Sequence, residues 1–209
     1  YEVFKVYRFF ACWLYGFATV GFWYLLTPLI GNIWLNEEWV IGQSIVTLIL
    51  IDFYFKGGRV VLVNFKTAAG VFERDRYLAL IQGGVNLVLS IGLVQVIGLP
   101  GIYVGTVVSG VLANLIQPYI IYHDCFGKRT LPYFVDSVKY IVVILGITVL
   151  LLPIGRVLLT EVTIVSFLAM AVVITIVYNA LFLIIFHKTA EFTYLWEVLA
   201  RKLPFLQKK

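Results

Sequence analysis

The sequence predicts an all-α, polytopic membrane protein with six transmembrane helices followed by a C-terminal amphipathic helix. Three observations carry that prediction. First, 62% of the 209 residues are hydrophobic and only 13% charged, with a mean hydropathy of +0.99. That is about half the charge of an ordinary soluble domain, and more apolar surface than so short a chain can bury. Second, the apolar residues are grouped in runs near the length of about 20 residues that a helix needs to cross a hydrocarbon layer of about 30 Å. Third, the cations between those runs are sorted by side, as a membrane requires and a soluble bundle does not.

The first run, residues 9–30, contains no charge. The second, residues 39–65, is apolar at both ends and interrupted by Asp52, Lys56 and Arg59. The third and fourth, residues 77–97 and 102–122, are joined by Gly98-Leu99-Pro100-Gly101, which leaves room only for a tight hairpin turn. Residues 140–154 form the shortest run and residues 162–186 the last. If successive spans alternate in direction, 15 Lys and Arg fall on one side, and the other side holds Arg156 alone together with Glu37 and Glu38. The positive-inside rule then puts both ends of the chain in the cytoplasm. The formal charge of +5 is accordingly topological and not a nucleic-acid footprint. Trp23, Tyr24, Trp34 and Trp39 near the outer ends, with Trp13, Tyr133 and Phe134 near the inner ends, fit interfacial aromatic belts. Beyond the last span, residues 190–203 place Phe192, Leu195, Trp196 and Leu199 on one helical face, ended by Pro204. This reads as an interfacial helix on the cytoplasmic leaflet, with a frayed tail as the alternative.

Several chemistries are disfavoured. Cys12 and Cys125 are too few and too distant in sequence for a disulfide framework, and no Asn-x-Ser/Thr acceptor occurs. His123, Asp124, Cys125 and His187 lack metal-ligand spacing. There is no phosphate-binding glycine loop, no nucleophile elbow and no pair of intramembrane carboxylates. No cofactor, no metal and no enzymatic activity are expected. The chain begins at Tyr1 without a signal-peptide pattern and reads as a piece of a longer polypeptide.

Polar residues within the spans are the candidates for function, because each is costly in lipid. Asp52, Lys56 and Arg59 follow one another at i, i+4 and i+7, on one helical face, where Asp52 and Lys56 can neutralise each other. A cation pair in a cytoplasmic-side cavity suits an anionic ligand such as a phosphate or pyrophosphate. Alternatively, Gly57-Gly58 ends the span and both cations snorkel into the headgroups. Gln82, Asn86 and Ser90 make a polar stripe on the third span, facing Asn114 and Gln117 at similar depths on the fourth. These amides either line a path for sugar hydroxyls or act as interhelical glue. Gly101, Gly105, Ser109 and Ala113 form a small-residue ridge for close packing, and Pro118 is placed to kink the fourth span.

Residues 70–128, from GVFERDRY through the Asn86-Leu87 span, the Gly98 to Gly101 turn and the Gly105-Thr106 and Ser109 span to a Tyr-rich exit and a basic loop, carry a family likeness. They resemble the C-terminal part of the polysaccharide and O-antigen flippases of the multidrug/oligosaccharidyl-lipid/polysaccharide exporter superfamily. Residues 22–39, with Pro28 and then Trp34-Leu-Asn-Glu-Glu-Trp39, are similar to that family's preceding outer loop. The resemblance implies residues 1–130 as the C-terminal lobe, with four transmembrane helices, and residues 131–209 as two further helices and a cytoplasmic amphipathic tail. It implies translocation of undecaprenyl-pyrophosphate-linked oligosaccharide across the bacterial inner membrane. An N-terminal lobe of the same polypeptide would be the partner, membrane lipid would surround both, and nucleic acid plays no part. Lys56, Arg59, Asp52, Gln82, Asn86, Asn114 and Gln117 would line the substrate cavity, the cations receiving pyrophosphate. Two other readings stay open. One is a cation-coupled multidrug or metabolite antiporter of the same superfamily, with Asp52 as its ion site. The other is a membrane-embedded enzyme of lipid-linked glycan assembly.

Overall fold

The computed structural model describes residues 1–71 and 76–202. Arg74, Pro204, Lys208 and Lys209, used in the sequence reading, lie outside them, as do the side chains of Leu199, Arg201 and Lys202. Among the described residues the chain is helical throughout and contains no strand. The helices are α1 (Glu2–Pro28), α2 (Gln43–Ala69), α3 (Leu78–Ile97), α4 (Leu99–Phe126), α5 (Leu131–Leu158), α6 (Ile164–Phe186) and α7 (Ala190–Lys202).

Local chemistry sets these boundaries. Pro28 brings no N–H to the ladder of α1, and the helix continues beyond it as a wider π-helical segment, Leu29–Trp34, before a 3-10 turn at Glu37–Trp39. Gly70 stops α2 in the left-handed conformation at φ +70°. The turn between α3 and α4 is tighter than the sequence suggests: it is Gly98 alone, at φ +67° and ψ −148°, a combination open to glycine. Pro100 and Pro132 sit in the first turns of α4 and α5, where a missing N–H costs nothing. Thr163 and Ser166 cap the start of α6 reciprocally.

Five helices are long and apolar enough to cross a membrane: α1 with its π-helical extension, α3, α4, α5 and α6. Among the described residues, five of the six expected spans are thus matched by such helices, and the remaining one falls on α2. That helix has 27 residues but carries Asp52, Lys56 and Arg59 through its middle. The fifth span, expected to be the shortest, is instead a 28-residue helix. Its charges near the basic end do not interrupt it because Lys139 and Asp136 pair at 3.1 Å on its surface.

Packing is sequential in space. α1 touches α2, α5, α6 and α7, α2 packs between α1 and α4, and α3 packs chiefly on α4. One core joins Phe9, Val20 and Tyr24 of α1 to Ile144 and Leu151 of α5 and Met170, Tyr178 and Phe182 of α6. A second gathers Phe4, Val61, Leu62, Ile121, Tyr122 and Tyr133, which brings the start of α1 and α5 to the ends of α2 and α4. Lys5, Arg8, Lys66, Lys128 and Lys139 thus share one end of the bundle, here termed the basic end; Trp34 and Trp39 are exposed at the other. Trp13 and Tyr133, expected in the inner aromatic belt, are packed inward instead. Trp13 stacks on Phe182 at 5.5 Å and donates from Nε1 to the Asn179 side-chain oxygen at 3.1 Å, and Tyr133 is buried beside Arg8. In α7, Phe192 and Leu195 pack against the first core, while Trp196 is half exposed.

Helix contacts are close where a side chain is absent. Gly57 lies against the Tyr15 ring, Gly101 against the backbone of Leu93, and Gly105 against Ser90. Such approaches supply the dispersion contacts that hold helices together when lipid is as apolar as the interface. The outer surface is correspondingly oily: Leu78 is the only buried residue among those of α3, and Val88 is 71% exposed. In water this face would be a severe liability, whereas in a bilayer it is the expected one.

Candidate functional site

The polar residues of α2 occupy one face because Asp52, Lys56, Arg59, Val63 and Lys66 recur at helical spacing. The helix runs on about three turns past Gly57-Gly58 to Ala69. The helix therefore does not end at Gly57-Gly58, and Gly57 packs against Tyr15 of α1.

Asp52 accepts an ion pair from Lys56 at 2.6 Å, with the carboxylate side chain 15% exposed and the lysine 54%. The carboxylate lies beside Gly110 of α4. About two turns beyond Asp52, Arg59 Nη1 donates to Gln82 Oε1 at 2.9 Å and so joins α2 to α3. Around this bond opens a cleft of about 370 Å³. Arg59, Val63 and Lys66 form its α2 wall, Arg76, Leu78, Ala79 and Gln82 its α3 wall, and Gln117 its contribution from α4. A second hollow of about 280 Å³ shares Arg59 and Val63 and adds Lys56, Val60 and Asn64. The two together display four cations and three primary amides at the basic end of the bundle.

The other predicted site residues are elsewhere. Asn86 accepts from Ser90 at 3.1 Å and from Thr106 at 3.3 Å, which stitches α3 to α4 away from the cleft. Asn114 donates to the Gly110 carbonyl of its own helix at 2.8 Å and borders a different cavity. Asn86 and Asn114 do not face one another, because the hairpin sets Asn86 beside Thr106, two turns nearer the turn than Asn114. Gln82 and Gln117 do share the cleft.

Three residues of consequence were counted in the sequence only as loop or tail cations: Arg8, Lys66 and Arg76. Lys66 carries a readable signal, since it continues the Asp52, Arg59 heptad spacing. Arg76 carries none, because its place depends on how α3 docks. Among the described residues no cluster of His, Cys, Asp and Glu able to hold a metal is present. The chain matches no protein-family model, no curated protein and no solved structure.

Proposed function

We propose that this chain forms one wall of a flippase that carries undecaprenyl-pyrophosphate-linked oligosaccharide across the bacterial cytoplasmic membrane, with its basic end inside. The observation that carries the reading is the cleft where Arg59, Lys66 and Arg76 meet Gln82 and Gln117. Cations gathered in one cleft of a membrane bundle favour a ligand of opposite charge. A pyrophosphate supplies it, and the planar guanidinium of Arg59 matches its oxygens in a way a lone ammonium does not. The amides offer donors and acceptors to sugar hydroxyls. Arg59 would exchange its bond to Gln82 for the phosphate, and the exposed Lys56 would swing from Asp52 to follow it.

In this reading α3, which packs chiefly on α4, turns its bare face toward lipid or toward a first lobe of the same transporter, and transport is the rocking of the two lobes about the loaded cleft. The Asp52–Lys56 pair supports a charge-balancing role for Asp52 over the ion site of an antiporter. Farnesyl pyrophosphate is a suitable probe. The purified chain is expected to bind it, inorganic pyrophosphate to compete, and Arg59→Ala to weaken binding at least tenfold. Equal binding of farnesol, or no effect of Arg59→Ala, would contradict the assignment.

A further inference from the structure

On the other side of α2 lies a further cavity of about 200 Å³, partly open to the surface and bounded by α1, α2, α4 and α5. Its charged member is Arg8, which is only 4% exposed. Arg8 Nη2 donates to the Tyr133 carbonyl at 2.6 Å and to Ser137 Oγ at 2.6 Å. The guanidinium carbon lies 3.7 Å from the centre of the Tyr133 ring and 5.8 Å from that of Tyr140. All of these partners are neutral, and among the described residues no carboxylate pairs with Arg8. Carbonyl and aromatic contacts orient a buried cation but do not neutralise it.

The shape of the space says what could. Apart from Arg8, Ser137, Asn114 and Tyr54, its walls are almost wholly apolar, so they suit an occupant with one acidic group and an oily body better than a free ion. α4 and α5 meet at the basic end, where the Tyr122 and Tyr133 rings lie 5.7 Å apart, and otherwise scarcely touch. Leu115 and Val138, 51% and 60% exposed, flank the resulting opening, which leads sideways to the outer surface of the bundle and not to the Arg59 cleft. Arg8 lies about 9 Å along α1 from its start, near the basic end of the bundle.

We propose that this cavity binds the phosphate headgroup of an anionic membrane lipid, held by Arg8, with an acyl chain leaving between α4 and α5. The site rests on the membrane placement of the helices and is independent of the transport reading. To test it, the full chain purified in mild detergent is titrated with phosphatidylglycerol, phosphatidylcholine and inorganic phosphate, and bound lipid is counted by native mass spectrometry. Phosphatidylglycerol is expected to bind at least tenfold more tightly than phosphatidylcholine. Arg8→Gln should erase that preference, and Arg156→Gln, at an exposed cation that lines neither the cleft nor this cavity, should leave it intact. Because Arg8→Gln also removes the link from α1 to α5, Leu115→Trp provides a second variant, closing the mouth from an exposed position while Arg8 stays in place; it should lower phosphatidylglycerol binding by a similar factor. Phosphatidylcholine bound equally well, undiminished binding in Leu115→Trp, or displacement of the lipid by millimolar inorganic phosphate would overturn the proposal.

Discussion

If the proposed flippase reading holds, export of lipid-linked glycan is expected to fall to background when Lys56 and Arg59 are both replaced by glutamine, while the protein's abundance in the membrane is unchanged. Glutamine is the informative replacement. It keeps a donor within reach of Asp52 and Gln82, which now accept from Lys56 at 2.6 Å and Arg59 at 2.9 Å, and removes only the charge. The helix and its packing through Gly57 are therefore preserved, and what is lost is attraction for an anion in surroundings of low dielectric constant. Losing the cation side of the proposed contacts to pyrophosphate costs roughly 2–5 kcal/mol, so the double variant should transport at least about thirtyfold more slowly. Arg59→Lys should retain a measurable rate, since it keeps the charge and loses the fork. Wild-type export by the double glutamine variant would remove these residues from the substrate path.

The hairpin of α3 and α4 yields the largest expected effect on stability. A β-carbon placed on Gly101 would stand 2.5 Å from the carbonyl carbon and oxygen of Leu93, and one placed on Gly105 would stand 2.5 Å from Ser90 Oγ and 2.9 Å from its amide nitrogen. Those neighbours are largely backbone, so relief requires the two helices to move apart along their shared seam. Gly101→Ala and Gly105→Ala should each destabilise the protein by about 1–3 kcal/mol, with a melting midpoint lowered by several degrees in detergent. Leucine at either site should prevent recovery of folded protein. Gly83→Ala and Gly92→Ala serve as controls, because an added methyl there meets nothing within 4 Å. On helix propensity alone they should be neutral or slightly stabilising.

Much of the fold was legible because lipid imposes a simple code. Runs without charge became α1, α3, α4 and α6, and the glycine ridge of α4 meets α3 as its spacing implies. The errors have local causes. A threshold on uninterrupted apolar length cut α5 short at Lys139, whose charge is paired with Asp136 on the helix surface. The same habit made Gly57-Gly58 look like a terminus, although a glycine inside a helix also marks a close neighbour, here Tyr15 against Gly57. Within the candidate site, the face shared by Asp52, Lys56 and Arg59 followed from spacing along one helix. Gln82 and Gln117 share the cleft, but Asn86 and Asn114 part company, because the offset between two antiparallel helices depends on side-chain size at the seam and not on counting residues from the turn. Arg8 was hidden for a related reason. A cation at the edge of an apolar run looks like a boundary, and its burial shows only when α5 is seen to cover it.

The central claim is that the polar side chains of α2, α3 and α4 enclose water within a bundle whose outer faces meet lipid. Its most direct test uses a chain with Cys12 and Cys125 replaced by alanine, carrying a single new cysteine, either Gln82→Cys in the cleft or Val88→Cys on the outer face of α3. In sealed membranes, a charged thiol reagent supplied from the basic side should label Gln82→Cys readily and leave Val88→Cys untouched until detergent is added. Labelling of both positions alike, or of Val88→Cys alone, would contradict it.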